Sequence, residues 1–230
     1  MPAPSKTQSH TRYPLTSIFG SAGNVRVLRV LFSDRTLHSA PQLARAAGLS
    51  PQGARLILQA LISEQLISVH GTGRGQLYSA NVSSALAGAI AELFSSEQQR
   101  WDELLAAIRG LLMKQGSDIR AAWLYGSVAR GLDTVRSDLD LALLVKSQEV
   151  AELLRDELSE FGDRRQLRIG VTALTPNELA AVRDDSAWWS SVVRDGRVLK
   201  GASPEAAKRE VTRTVGVGNV IRPVVACPGK

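Results

Sequence analysis

The chain lacks most of the residues that would tie it down covalently or carry it into a membrane. Its 230 residues hold one cysteine, Cys227, so no internal disulfide can form. Three histidines beside that single thiol are too few for a zinc site of the usual kind, and any metal here would be held by oxygen. No apolar run reaches the ~18 residues of a membrane-spanning helix. The opening residues, MPAPSKTQSHTRYP, also lack the apolar core of a signal peptide. The expectation is a cytoplasmic protein with no membrane contact. What remains is ordinary for a globular chain, 44% apolar and 22% charged, with length for one large domain or two small ones.

The net charge of +6 is unevenly spread. Residues 1–83 carry eight Lys/Arg against two acids, residues 84–200 fifteen against eighteen, and residues 201–230 five against two. A basic first third is the footprint of a polyanion binder, whereas an acidic segment suits a cation site. Two modules with different partners follow.

The most informative stretch is WLYGSVARGLDTVRSDLDLALLV, residues 123–145. It reads as strand, tight turn, helix start, loop, strand. Gly126 allows the sharp turn and Ser127 is placed to cap the helix. Such a turn leaves backbone N–H groups facing outward, a cradle for phosphate. Further on, Asp138 and Asp140 share one face of a strand while Leu139, Leu141 and Leu143 take the other. Two carboxylates about 7 Å apart along a strand can hold a divalent cation between them. Cradle and acidic pair together point to Mg²⁺-dependent chemistry on a nucleoside triphosphate.

These residues, Gly126-Ser127, Ala129-Arg130-Gly131 and Ser137-Asp138-Leu139-Asp140-Leu141, resemble the signature of the DNA polymerase β-type nucleotidyltransferase superfamily, especially its small prokaryotic members. The resemblance covers roughly residues 118–200. It implies that Gly126 and Ser127 hold the triphosphate and that Asp138 and Asp140 bind Mg²⁺ or Mn²⁺ and carry catalysis. Arg130 and Arg136 are further candidates for phosphate contacts. The family places a third carboxylate on the next strand. Here that strand, Gln166-Leu167-Arg168-Ile169-Gly170-Val171-Thr172, offers Arg168, Gly170 and Thr172 on the matching face and no acid. Asp133, Asp163 and Glu178 are the nearest substitutes in sequence.

The basic third has its own pattern. After an arm over residues 1–16, Asn24 is placed to cap a helix through Phe32. Pro41 opens a short second helix that Gly48 ends. Ser50 and Pro51 start a third, with Ala54, Ile57, Leu58, Leu61 and Ile62 along one face. Its other face carries Gln52, Leu56, Gln59 and Ser63, with Arg55 at the edge. These side chains suit adenine, thymine methyl, guanine and phosphate. Two strands, Leu66 to His70 and Gln76 to Ala80, flank a glycine-rich tip bearing Arg74. The run from Val25 to Ala80 resembles the winged helix-turn-helix domains of bacterial transcriptional regulators. That resemblance implies double-stranded DNA as partner, with Arg74 against the backbone or minor groove.

From Ser84 to Lys114 the spacing predicts one long helix, or two broken near Ser95-Ser96, whose near-heptad apolar positions suit packing on its own domain or pairing into a homodimer. A helix over residues 148–161, a strand over 167–175, a helix from Pro176 towards Trp188-Trp189 and a short strand at residues 197–199 complete the second module. One tryptophan is expected in the core and the other at the surface. The predicted fold is α+β: a winged helix-turn-helix (17–83), a linking helix (84–117), a small mixed β-sheet nucleotidyltransferase-like domain with flanking helices (118–200), and a tail (201–230). The expected function is transfer of a nucleoside monophosphate from a triphosphate to a hydroxyl. The alternative is a transcriptional regulator or antitoxin-like protein whose second domain binds nucleotide or a partner without catalysis.

Overall fold

The structure is a computed structural model that describes residues 9–34 and 36–218; the side chains of Arg74 and residues 216–218 lie outside that description. The chain divides into two compact units, Met1–Asp102 and Glu103–Lys230. Among the described residues no helix is long and apolar enough to cross a membrane.

In the first unit the expected arm is already structured by residue 15. Helix α1 (Leu15–Ile18) sends Ile18 into the core. Helix α2 (Ala22–Asp34) begins earlier than expected. Its cap is Ser21, whose Oγ accepts from the Asn24 N–H at 3.1 Å, and not Asn24. Asn24 is buried, and its amide donates to the carbonyls of Ser17 and Ile18, tying α1 to α2. Strand β1 (His38–Ser39) leads into α3 (Ala40–Ala46), which ends at Gly48 with φ +61°, a conformation only glycine adopts at no steric cost. Helix α4 (Pro51–Ser63) starts as its sequence requires, with Ser50 Oγ accepting from the Gly53 N–H at 3.1 Å. Strands β2 (Ile67–His70) and β3 (Leu77–Ala80) form a hairpin, and β1 pairs with β3 to give an antiparallel sheet ordered β1-β3-β2. Val27, Leu28, Leu31, Leu43, Leu58, Leu61 and Ile67 close one core. Burying each such side chain contributes roughly 1.5–3 kcal/mol.

Helix α5 (Ala87–Lys114) is continuous over 28 residues, and the division between the units falls within it. Ser95 and Ser96 do not break it, because Ser96 satisfies its hydroxyl on the Glu92 carbonyl one turn back.

The second unit is built on a four-stranded sheet ordered β6-β5-β4-β7, from β4 (Ile119–Tyr125), β5 (Leu139–Val145), β6 (Ile169–Leu174) and β7 (Arg197–Lys200). β5 and β6 run parallel and the other pairs antiparallel. The parallel pair needs a crossover, supplied by α7 (Gln148–Asp163). A short α6 (Gly126–Arg130) follows β4. One sheet face, with Ala121, Trp123, Ala142 and Leu144, packs on Leu179, Trp189, Val192, Ala207 and Val211. Leu141 and Leu143 point the other way, where α7 brings Leu154 and Leu158.

Two expectations are corrected here. The helix foreseen from Pro176 through the tryptophans is two, α8 (Pro176–Ala181) and α9 (Ala187–Asp195). Val182 is extended, and Ser186 recaps the chain by accepting from the Trp189 N–H. The residues after 200 form helix α10 (Pro204–Gly218) where a tail was expected; residues 219–230 lie outside the description. Ala207, Val211 and Val215 recur every fourth residue and meet the core, a stripe too narrow and too small to stand out by hydropathy. Trp189 is buried in the core as expected of one of the pair, whereas Trp188, expected at the surface, is half-buried against the same core.

Candidate functional site

Three strand ends meet at one edge of the four-stranded sheet. β4 ends at Tyr125, directly opposite Asp140 of β5, and Asp140 faces Gly170 of β6 in the parallel register. Gly126, at φ +78°, turns the chain out of β4. A Cβ added there would stand 2.3 Å from Asp140 Oδ2, and one added at Gly170 would stand 3.0 Å from Asp140 Oδ1. The Asp140 carboxylate therefore lies in a slot between two glycine backbones, and a methyl group at Gly126 would close it.

The other residues of the expected site fall as follows. Ser127 is the second residue of α6 and no side chain caps that helix, so the serine is not the cap the sequence suggested. Helix α6 stops at Gly131, and a tight turn closed by Ser137 N–H to Thr134 O and by Thr134 N–H to Ser137 Oγ, both 2.9 Å, delivers the chain to Asp138. Arg136 stands exposed in this turn, and none of the described hydrogen bonds joins it to either aspartate.

Asp138, just before β5, is exposed and its Oδ1 forms an ion pair with Arg168 Nε at 2.9 Å. The parallel register of Leu139 with Ile169, continued one residue back, sets these two side chains opposite each other. Asp140 is less accessible. Burial raises its pKa above the ordinary carboxylate value, the Asp138 charge pushes it the same way, and the Arg130 charge opposes both. Arg130 is fixed by an ion pair to Asp195 at the end of α9, which also accepts from Arg194 Nε at 2.8 Å. The hydrogen bond from Arg194, then that from Arg130, holds Asp195 down at about 2. Tyr125, on the same face as Asp140, accepts a hydrogen bond from Trp188 Nε1 at 3.0 Å and meets that ring edge-on.

None of the expected substitutes for a third acid joins the pair. Asp133 and Asp163 are exposed, on the loop after α6 and at the end of α7. Glu178 is spent on a capping box with Thr175 and on Gln148. Among the described residues there is no group of three or more His, Cys, Asp or Glu that could hold a metal ion. Mg²⁺ is commonly held by one or two carboxylates and by substrate phosphates. The half-buried Asp140 with Asp138 fits one such ion, and the set does not fit two.

Asp195 and the Arg168–Asp138 pair were not foreseen as parts of this site. Asp195 follows an unremarkable run, and nothing in sequence links it to Arg130, 65 positions earlier. The signal for Arg168 was present, an Arg-Ile start to a strand alongside Ser-Asp-Leu, but only the strand register pairs the two.

In the first unit, Gln52, Arg55, Leu56, Gln59 and Ser63 are all exposed on α4, with Leu56 61% accessible despite its apolar side chain. The hairpin tip holds a 3₁₀ turn, Gly73–Gly75, and the Arg74 side chain lies outside the described residues.

No curated protein sequence matches the chain. Solved structures similar to it include a toxin–antitoxin with AMP-PNP, 19% identical over 49% of this chain and 87% of that one, with a TM-score of 0.35. Another is the MarR family transcriptional regulator SPO1453 from Silicibacter pomeroyi DSS-3, 18% identical over 46% of this chain and 82% of that one, with a TM-score of 0.33. Neither likeness is close enough to carry an argument about this chain. The sequence of the sheet domain does carry one: over residues 107–181, which include the Gly126 turn and both aspartates, it is similar to the family described as polymerase beta, nucleotidyltransferase.

Proposed function

We propose that this chain is a DNA-binding protein whose nucleotidyltransferase-type domain binds a nucleoside triphosphate and transfers its nucleoside monophosphate to a hydroxyl acceptor, releasing pyrophosphate. The observation that carries the reading is the contact between the Gly126 backbone and the Asp140 carboxylate, which makes the turn and the acidic pair one site. Mg²⁺ or Mn²⁺ between Asp138, Asp140 and the phosphates would neutralise charge and polarise the reacting phosphoryl group. The backbone of Gly126 and Ser127 receives phosphate oxygens. Arg130, braced by Asp195, keeps a positive charge beside Asp140. Tyr125, opposite Asp140 in the strand pairing, and Trp188 pack edge-on beside the site.

The test is incubation of the protein with each α-labelled nucleoside triphosphate and a panel of DNA, tRNA and protein acceptors. Labelled acceptor and free pyrophosphate are expected with the native chain and at least a hundredfold less with Asp140→Asn, the scale for loss of a group that stabilises developing charge. Equal labelling by the variant would refute the assignment.

The first unit supports DNA binding through a winged helix-turn-helix, with α4 as the reading helix and the β2–β3 hairpin as the wing. A gel shift on the DNA upstream of its own coding sequence, weakened by Arg55→Ala with Gln59→Ala, tests this. The Arg168–Asp138 ion pair favours a second reading, in which the domain senses nucleotide without transferring it. Nucleotide binding with no pyrophosphate released from the triphosphate in the presence of any acceptor would decide for that reading.

A further inference from the structure

The charge around Asp140 is balanced by the protein itself. Asp138, Asp140 and Asp195 supply three carboxylates, and Arg130, Arg168 and Arg194 supply three guanidiniums in ion pairs or electrostatic contact with them. Three carboxylates alone would repel a triphosphate and would need divalent cations to admit one. With three guanidiniums among them, two on Asp195 and one on Asp138, the cluster has no such requirement.

Arg168 is the member of this set placed to meet a ligand. Its Nε lies 2.9 Å from Asp138 Oδ1 in an ion pair, which leaves most of the five N–H donors of the guanidinium for other partners. Its side chain is 64% exposed, so the outer fork of the guanidinium reaches solvent. Arg168 precedes β6 on one flank of the aspartates, and Gly126 follows β4 on the other. A planar, permanently charged fork anchored at its inner nitrogen is preorganised for phosphate oxygens. Arg130 differs from it: its charge is shared with Asp195, which is only 4% exposed.

We infer that Arg168 is a phosphate-binding residue of this site, anchored by Asp138, and that it lets the site take a triphosphate without any divalent ion. The inference rests on the reading of the site as a triphosphate site. It concerns binding alone and leaves the cation its part in transfer.

Isothermal titration of the full chain tests it, with the four nucleoside triphosphates and inorganic triphosphate as ligands, in chelator and in Mg²⁺. The native chain is expected to bind at least one of these ligands in chelator with affinity within about tenfold of that in Mg²⁺. Arg168→Ala should lose about tenfold or more in chelator, the loss of one charge-assisted hydrogen bond. Arg168→Glu should bind only when Mg²⁺ is present. Because Arg168 is exposed, unchanged circular dichroism is expected of both variants. Binding by the native chain that needs Mg²⁺, or Arg168→Ala binding like the native chain in chelator, would overturn the role of Arg168 while leaving the triphosphate site standing. No binding of any ligand in either buffer would remove the triphosphate reading itself and this inference with it.

Discussion

At the scale of single residues, Gly126 and Asp195 carry the sharpest consequences. Gly126→Ala forces a side chain into a left-handed conformation, at a cost of about 1–2 kcal/mol, and drives its methyl into Asp140 Oδ2. The variant should unfold at lower urea and lose nucleotide binding altogether, whereas a merely strained turn would lose stability and keep the ligand. Asp195 makes a pH prediction. Its folded-state pKa is depressed from 3.8 to about 2, so its ion pairs contribute stability fully above the unfolded value and lose it as the pH falls through about 2. The melting temperature of Asp195→Asn should trail that of the native chain by a constant margin from pH 5 to 7, and the gap should narrow between pH 4 and 2. Much of this scale was legible in advance. Gly126, Asp138 and Asp140 announce themselves because a turn and an acidic strand need those residue types. The partners Arg168 and Asp195 do not, because an ion pair across strands is fixed by register and by the end of a distant helix, neither of which leaves a local pattern.

Among the elements, a cap followed by a broad apolar stripe was readable, and a cap followed by a narrow one was not. Helix α4 has a serine cap, a proline in its first turn and an apolar stripe, and it forms where those signals put it. Ser50→Ala removes an acceptor for the Gly53 N–H and should cost about 1 kcal/mol in urea denaturation. Helix α10 opens on a similar start, Ser203-Pro204, with Ser203 Oγ accepting from the Ala206 N–H at 3.4 Å, but its apolar stripe is weaker. It is held by Ala207 and Val211 in the core and by Lys208, whose ammonium group is largely buried against the Val182 carbonyl and Asp184. That same lysine reaches the extended break between α8 and α9, so one residue ties together the two corrected regions of the second unit. Lys208→Met leaves the Val182 carbonyl without its donor and should cost about 1–3 kcal/mol, with a larger loss than Ser50→Ala in the same assay.

For the whole molecule, the proposed DNA binding would draw on the uneven charge. Residues 1–83 hold eight cations against two acids, but not all of them are available to DNA. Arg29 is taken up by Glu97 in a two-point contact, with Nε to Oε2 at 2.7 Å, and stacks over Phe94. Arg55 is exposed on the same face as Gln52 and Gln59. A phosphate contact releases counterions, so log K should fall linearly with log salt, and Arg55→Ala should make that slope shallower by about 1 if Arg55 meets a phosphate. Arg29→Ala should leave the slope unchanged, because its charge is already paired with Glu97 at the surface. Should Arg55 read a guanine instead, its removal would weaken binding to the preferred sequence and leave the slope alone, so fluorescence anisotropy at four salt concentrations on specific and scrambled duplexes separates the two roles. A flat salt response with the native chain would mean that the basic segment serves something other than nucleic acid.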